Sequence, residues 1–395
     1  MNSIGKIKDK NILLLQGPVG LFFTKVGKQF TQKGANVYRI GINAGDAFFA
    51  SREHYTAYRG KPEAWYDFIL HFLTEHNIDK IFIFGDCRYY QSLATSASDA
   101  VGVEVYVFEE GYLRPHYITL ERHGVNDYSR ISRHPEFYKK IELTETPPAQ
   151  YSTPNPICNW SIVITYYFIA KLLSFRYPHY RHHRNFSATQ EFFFGTRSLI
   201  RKVLYTQRDK SYLPKIKNEL SDQYFFVPLQ THNDFQILQH SGYGSIEKFI
   251  IEVLESFALH ANKKTYLMFK HHPIDRGRKN YKDFIVEQAH ELGVEKRVIV
   301  VHDLHLPTCL EHAKGTITIN STVGLSSILK GTPTMTLGRA IYNIEGLTNK
   351  YISLDDFWAN PQKPDEALAQ KFKYYLIHST QLNGNFFGRM PDELI

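Results

Sequence analysis

Several familiar signatures are missing from this 395-residue sequence. Neither half carries GxGxxG after its first predicted strand, and GxxxxGK[ST] is absent, which argues against a dinucleotide dehydrogenase and a P-loop NTPase. Cysteine is scarce: Cys87, Cys158 and Cys309 are far apart and odd in number, so neither a disulfide framework nor a zinc site is implied. The apolar run at residues 12–15 is too short for a signal peptide, so a cytoplasmic protein in a reducing compartment is expected.

The composition is that of a folded protein with a basic surface. Hydrophobic residues make up 43% and charged residues 22%, and the length suits two domains. The formal net charge of +8 favours anionic partners. No RNP motif or C2H2 finger is present, so a nucleotide and anionic lipid are expected in place of nucleic acid. The 26 Tyr and 28 Phe suit sugar stacking or a membrane interface, although packing accounts for most such rings.

Strands and helices alternate in both halves. Apolar runs predict strands at 11–15, 35–40, 80–84 and 103–108, and again at 224–228, 265–270, 298–301, 315–319 and 333–337. Such alternation predicts parallel sheets with crossover helices, which bind ligands at the carboxyl ends of their strands. The expected fold is α/β, with two doubly wound, Rossmann-like domains facing a central cleft.

The predicted domain boundaries follow from this pattern. Residues 1–215 are expected to form the first domain and residues 216–365 the second, with a final helix in 366–395 crossing back to the first. A helical insertion around 158–200 interrupts the first domain. Its apolar run at 160–175 is shorter than the roughly 20 residues that span a bilayer. It predicts either a helix lying in an anionic membrane interface or a helix pair buried between domains.

Two polar segments at predicted strand ends in the second half predict a phosphate site. KHHP at 270–273 follows one strand, and NSTVG at 320–324 joins another strand to a helix. Hydroxyls and free N–H groups at a helix start suit phosphate, and a strand-end histidine can stabilise a departing nucleotide. A plain helix cap, a surface histidine pair or a His271–His272 metal site remain alternatives. The candidate donor-binding residues here are Lys270, His272, Pro273, Asn320, Ser321, Thr322 and Gly324.

The first half offers a carboxylate pair in EEGYLRP at 109–115. On an extended strand Glu109 and Glu110 point to opposite sides, so only one can face a cleft. That carboxylate could act as nucleophile or general base, and Arg114 could hold a sugar carboxylate. The alternative is a solvated pair with Arg114 as its ion-pair partner. Other polar strand ends add the candidate residue Asp86. The candidate sugar- or acceptor-binding residues of this half are Gln16, Gly17, Gly20, Arg88, Glu109 and Arg114.

Six segments together resemble a known family. QGPVGLFF, FGDCRYY, EEGYLRPHYITLE, FVPLQTHNDFQI, KHHPIDRGR and NSTVGLSSILKGTPT resemble the KpsS/LipB family of capsular polysaccharide proteins and cover most of residues 10–340. The resemblance implies GT-B architecture and a retaining β-Kdo transferase that uses CMP-Kdo without a metal. It implies a lysophosphatidylglycerol-type acceptor at the inner face of the cytoplasmic membrane, where the protein would be peripheral. The chain-extending relative KpsC is an implied partner.

The resemblance also implies roles for individual residues. The second acid of the family's E-[ED]-G-[FY]-L-R motif falls on Glu110, where KpsC modules have a catalytic Asp, so this chain has a longer arm. Glu110, His272 and Asp86 are the expected catalytic residues, and Gln230 and Asp234 match a Q-x-x-D pattern that faces the donor. The competing hypotheses are an inverting CMP-sialic-acid-type transferase, a non-enzymatic export scaffold and a metal-dependent hydrolase.

Overall fold

The computed structural model describes residues 4–144, 156–181, 188–232 and 241–391. The chain forms two compact units: the first comprises residues 1–130, 144–188 and 374–395, and the second comprises 131–143 and 189–373. Residues 131–143 and 189–215, which the sequence placed in the first domain, thus cluster with the second unit. Residues 189–215 belong to the second unit because the inner face of their helix (Ala188–Asp209) is bonded to a strand end of the second sheet, as described below.

The first unit is built on a seven-stranded sheet with the order β12-β6-β5-β4-β1-β2-β3. Strands β1 to β5 are parallel to one another, whereas β6 is antiparallel to both β5 and β12. Its strands are β1 (Asn11–Leu15), β2 (Asn36–Gly41), β3 (Tyr55–Ala57), β4 (Lys80–Phe84), β5 (Glu104–Glu110), β6 (Tyr117–Arg122) and β12 (Gln381–Asn383).

Helices cover both faces of this sheet. Successive side chains of β1 point to opposite faces, so Leu13 joins one core and Leu14 the other. Trp65 and Ala94 fill the first core, and Phe22 fills the second. The helices of this unit are α1 (Phe22–Gln32), α2 (Ala44–Phe49), α3 (Trp65–Glu75), α4 (Tyr89–Val101) and α6 (Pro156–Leu172).

The second unit has a five-stranded, all-parallel sheet with the order β11-β10-β7-β8-β9. Its strands are β7 (Tyr224–Pro228), β8 (Tyr266–Lys270), β9 (Val298–Val301), β10 (Gly315–Thr318) and β11 (Thr334–Thr336). Its helices are α5 (Pro135–Lys139), α7 (Ala188–Asp209), α8 (Tyr212–Lys217), α9 (Ile246–His260), α10 (Lys282–Glu291), α11 (Leu306–Glu311), α12 (Thr322–Ile328) and α13 (Leu354–Phe357). Helix α14 (Glu366–Ser379) begins in the second unit and ends in the first.

The predicted fold class is confirmed. Both units are α/β layers with helices on two faces of a sheet, as expected for two doubly wound, Rossmann-like domains. Every strand predicted from an apolar run is present, within about two residues at each end. The antiparallel pair β6 and β12 was not predicted, since their pairing joins segments more than 250 residues apart.

Helix α6 lies within the insertion and has two unlike faces. Tyr166 is buried, whereas Trp160, Ile164, Phe168 and Leu172 recur every fourth residue and are each between 58% and 63% exposed. In the part of the chain that the structure describes, no helix is both long and apolar enough to cross a bilayer. The helix is therefore anchored on one side and presents an apolar stripe on the other.

Candidate functional site

In the second unit, the carboxyl ends of the adjacent strands β7 and β10 are joined through two of the predicted donor-site residues. Gln230 Nε2 donates to Asn320 Oδ1 (3.0 Å), and Gln230 Oε1 accepts from the Asn320 backbone N–H (3.3 Å). This reciprocal amide pair fixes the orientation of both side chains. Asp234, the second member of the Q-x-x-D pattern, lies outside the described residues.

The turn after Asn320 starts helix α12. The Ser321 side chain accepts a hydrogen bond from the Val323 N–H (3.2 Å), which is ordinary capping geometry. Tyr342 donates its hydroxyl hydrogen to the Ser321 carbonyl, and a Cβ on Gly324 would lie 2.2 Å from the Tyr342 hydroxyl oxygen. The space beside Gly324 therefore holds a tyrosine of this chain, while Ser321 and Thr322 remain partly exposed.

His272 lies at the end of β8, which neighbours β7 in the same sheet. Its Nδ1 accepts from the Ile274 N–H (3.2 Å), and Pro273 begins the short 3-10 turn that makes this bond possible. A neutral imidazole with Nδ1 as acceptor carries its proton on Nε2. His272 is half-buried, and an Nε2–H donor is the form of imidazole that binds a phosphate oxygen.

The preceding residues, Lys270 and His271, are much more buried. His271 stacks on His302 with ring centroids 4.0 Å apart and an interplanar angle of 6°. Burial lowers the pKa of each of these histidines to about 3, so both are neutral at physiological pH. Burial also lowers the pKa of Lys270, against the attraction of Asp303. His271 and His272 thus have different environments and do not act as one surface pair.

Sequence reasoning missed the polar partners of these strand ends. His302 Nδ1 lies 2.7 Å from an Arg208 guanidinium nitrogen, and the His302 N–H donates to the carboxylate of Asp209. Asp275, which is 1% exposed, accepts from both the N–H and the Nδ1 of His232 (2.8 and 2.6 Å). The polar loop at 230–234 was the only sequence feature that pointed to His232. No short motif links residues so far apart in sequence.

In the part of the chain that the structure describes, no group of three or more His, Cys, Asp or Glu side chains is arranged to hold a metal ion.

In the first unit, the two glutamates occupy the last two positions of β5. Glu110 is exposed, and Glu109 is half-buried with its Oε1 accepting from the Glu110 N–H (2.9 Å). A Cβ on Gly85 would lie 3.5 Å from both Glu109 Oε2 and Arg88 Nε, so these two groups lie beside the end of β4. Burial raises the pKa of Glu109 to about 7, against the opposing effects of the Glu110 N–H and Arg88.

The loop after β5 is held in place by its own chain. Gly111 is required because a Cβ there would lie 2.0 Å from the Tyr117 carbonyl oxygen. Gln381 Oε1 accepts from the Tyr112 N–H (2.8 Å), and Arg114 Nε donates to the Gly111 carbonyl (3.1 Å). Arg114 is exposed, and no ion pair joins it to Glu109 or Glu110 within the described residues.

The predicted catalytic residue Asp86 and several predicted acceptor-site residues are engaged inside the unit. Asp86 accepts from the Val125 N–H (2.9 Å), and Gln16 bonds with both Asp46 and Gln91. At Gly17, an added Cβ would lie 2.5 Å from the ring of Phe23. Gly20 has φ +103°, and there an added Cβ would lie 2.8 Å from Ile162 of α6. The space beside these two glycines is therefore filled by this chain's own side chains, Phe23 and Ile162.

A buried carboxylate, Asp46, is the main residue of the first unit that sequence reasoning overlooked. It accepts from Tyr166 OH (2.6 Å), Gln16 Nε2 (3.1 Å) and the Ile42 N–H (3.0 Å), and burial raises its pKa. Asn43 caps α2 in a capping box with Asp46. The N-x-x-D spacing could have signalled this. The network fastens α6 to the carboxyl ends of β1 and β2.

Comparisons with known proteins show the family to which this chain belongs. A sequence model of the family described as "Capsule polysaccharide biosynthesis protein" matches residues 79–387. The chain is 38% identical over 381 residues to the "Capsule polysaccharide export protein KpsS" of Escherichia coli, covering 96% of this chain and 98% of that protein. The chain belongs to this capsule polysaccharide biosynthesis family.

Another member is similar over a comparable length. The chain is 36% identical over 392 residues to the "Capsule polysaccharide modification protein LipB" of Neisseria meningitidis serogroup B, covering 96% of this chain and 92% of that protein. Among solved structures, "Thermosulfurimonas dismutans KpsC, beta Kdo 2,7 transferase" aligns over 94% of this chain and 99% of that chain, with 14% identity and a TM-score of 0.40.

The capsule polysaccharide family match covers most, but not all, of the residues described above. Residues 79–387 include Glu109, Glu110 and every candidate residue of the second unit. Gln16, Gly20 and Asp46 precede the matched region. The alignments with the two relatives cover 96% of this chain.

Proposed function

We propose that this capsule polysaccharide family member is a retaining β-Kdo transferase. It transfers Kdo from CMP-Kdo to a (lyso)phosphatidylglycerol acceptor and so starts the poly-Kdo linker of a capsular polysaccharide. The observation that carries the proposal is the strand-end geometry of the second unit. There, the Gln230–Asn320 pair and the Nε2–H of His272 lie on three neighbouring strands of one parallel sheet.

Donor binding is assigned to the second unit. The phosphate of CMP accepts from His272 Nε2–H and from the hydroxyls of Ser321 and Thr322, all of which are at least partly exposed. Lys270, which is buried at the last position of β8, supplies positive charge. These protein donors offset the charge of the departing CMP, so the proposal requires no metal ion.

The chemical step is assigned to the carboxylates of β5. The Glu110 carboxylate forms a C–O bond with the anomeric carbon as the bond between that carbon and the phosphate oxygen breaks, and CMP leaves with the electron pair. The acceptor hydroxyl then displaces Glu110 and gives its proton to Glu109, whose Oε1 turns back along the strand to accept from the Glu110 N–H, so that both carboxylates reach the end of β5. Two displacements at one carbon give net retention. Exposed Arg114 steadies the carboxylate of Kdo.

Removal of the imidazole tests the donor site. We expect His272→Ala to weaken CMP binding by about tenfold, because one hydrogen bond to a charged group is lost. Isothermal titration with CMP measures this directly. His260→Ala, at an exposed position in α9, is the matched control and should bind CMP like the wild type. An unchanged affinity in His272→Ala would remove the donor-site assignment.

The membrane part of the proposal rests on α6. Residues 156–181 contain no Asp or Glu, whereas Lys171, Arg176 and Arg181 lie at or beyond the C-terminal end of the exposed stripe. An apolar stripe with basic neighbours suits an anionic lipid surface, where it would place the protein beside its lipid acceptor.

Charging this stripe tests the membrane contact. We expect Ile164→Glu/Phe168→Glu to lower binding to phosphatidylglycerol-containing vesicles by roughly tenfold or more, because the changes remove apolar area and add like charge. Vesicle co-sedimentation measures the effect. Val101→Glu, on the exposed side of α4, is the control. Vesicle binding equal to the wild type in the double variant would contradict the α6 contact.

The activity itself is tested by following, with NMR, the reaction of the purified chain with CMP-Kdo, generated in place, and short-chain lysophosphatidylglycerol. A β-linked Kdo product supports donor, acceptor and stereochemistry together. An α-linked product, or turnover only with CMP-sialic acid, favours the inverting alternative. A chain that binds no CMP favours the export scaffold.

A further inference from the structure

Helix α7 of the second unit has an exposed apolar face that the proposed function leaves unexplained. Phe193, Leu199, Ile200, Val203 and Leu204 are all among the exposed large hydrophobic residues. At 100° per residue they fall within one arc of about 140° on the helix surface. Exposed Thr196 and Gln207 also fall within this arc, so the face is apolar with two polar interruptions. Scattered apolar residues are common on protein surfaces, but five on one face of a helix mark a contact site.

The charges on α7 indicate what this face binds. Residues 193–208 carry Arg197, Arg201, Lys202 and Arg208 and contain no acidic residue. Arg197 lies at one edge of the apolar arc, and Lys202 lies beyond the other. An apolar arc with basic residues at both edges is complementary to an anionic bilayer, whose headgroups lie beside the acyl chains that the arc would contact.

The opposite face of α7 is firmly held by the second unit. A Cβ on Gly277 would lie 2.1 Å from the Phe194 carbonyl oxygen, so only glycine allows the helix this close. Arg201 donates to the Arg276 carbonyl (3.0 Å), and the Tyr205 ring lies 4.1 Å from that of His302. The inner face thus covers the segments that follow β8 and β9, so the helix cannot turn its apolar arc inward.

We propose that the outer face of α7 is a second lipid-contacting surface, which binds an anionic bilayer independently of α6. The proposal deepens the assigned function and rests on it, since a lipid acceptor is what makes membrane contact useful to the donor-binding unit. Each unit then carries its own lipid-facing helix, and each helix packs with its inner face on the strand ends of its own unit.

Co-sedimentation of the full chain with vesicles tests this without any transfer reaction. The vesicles are phosphatidylcholine alone or phosphatidylcholine with phosphatidylglycerol. Ile200→Glu/Val203→Glu should lower the partition coefficient for the anionic vesicles by about tenfold. Arg197→Gln/Lys202→Gln should lower it about fivefold per removed charge at low salt. Leu259→Glu, 78% exposed on α9 of the same unit, is the matched control and should bind vesicles like the wild type.

The outcomes separate this inference from the proposed function. CMP titration confirms that each variant retains its donor site, and analytical ultracentrifugation reports its oligomeric state. If the α7 variants bind anionic vesicles like the wild type while the α6 double variant does not, the α7 inference fails and the proposed function stands. If the α7 changes instead convert a dimer to a monomer, a second copy of the chain covers this face and the inference is also overturned.

Discussion

Glu110→Gln is expected to lower the rate of sugar transfer by about 10³-fold or more while CMP affinity stays within about twofold of the wild type. The amide has nearly the same shape but can neither attack the anomeric carbon nor offset its positive charge. Because Glu110 is exposed at the end of β5, the change leaves the packing of the sheet intact. Single-turnover assays with CMP-Kdo and titration with CMP measure the two quantities.

Two companion variants sharpen this result. Glu110→Asp keeps the charge on a shorter arm and should retain part of the activity. Glu53→Gln, at an exposed position in the same unit, should match the wild type. Mass spectrometry of the wild type trapped with CMP-Kdo should show a covalent Kdo adduct that is absent from Glu110→Gln. Full transfer activity in Glu110→Gln would exclude this residue from the chemical step.

Glu109→Gln is expected to lower kcat/KM by about 10²–10³-fold and to abolish its pH dependence near neutrality. Burial raises the pKa of Glu109 to about 7, so the carboxylate that accepts the acceptor's proton is formed only as the pH rises through 7. Wild-type kcat/KM should therefore increase with pH below 7 and level off above it. A pH–rate profile from pH 5.5 to 9 measures this rise in kcat/KM, which should be absent from Glu109→Gln.

Stability gives an independent reading of the same pKa. The folded protein holds a proton on Glu109 up to about pH 7, whereas the unfolded chain releases it near pH 4.5. Burial of this acid is thus least costly below pH 4.5 and becomes destabilising as the pH rises through 7. Glu109→Gln should consequently unfold at a higher temperature than the wild type at pH 8. If kcat/KM of Glu109→Gln depends on pH as it does in the wild type, another group accepts the proton of the acceptor hydroxyl.

The strands, and with them the carboxyl ends where ligands bind, could be predicted because buried parallel strands appear as short apolar runs. The 11–15 and 224–228 runs match β1 and β7 residue for residue. The N-x-x-D spacing of Asn43 and Asp46 carried a local signal that was overlooked. These features depend only on residues that are close together in the sequence, so they can be predicted from the sequence alone.

Other features depend on distant residues and could not be predicted. The sequence indicated that only one of Glu109 and Glu110 could face a cleft, but the half-buried position of Glu109 depends on how β5 lies beside β4. Gly20 suggested room for an acceptor, whereas Ile162, more than 140 residues later, occupies that space. The apolar face of α7 is difficult to recognise in the sequence, because the polar residues Thr196 and Gln207 lie within it and Arg201, on the inner face, stands between its members in the sequence.

The pairing of β12 with β6 affects the order in which the chain is made. Gln381 lies on β12, accepts from Tyr112 in the loop after Glu110, and lies beyond the whole of the second unit in the sequence. On the ribosome, the second unit is therefore synthesised before the first can complete its sheet. Until residues 381–383 emerge, β6 is an open edge that can pair with other nascent chains. A stalled or truncated product would expose this edge while its second unit was already folded.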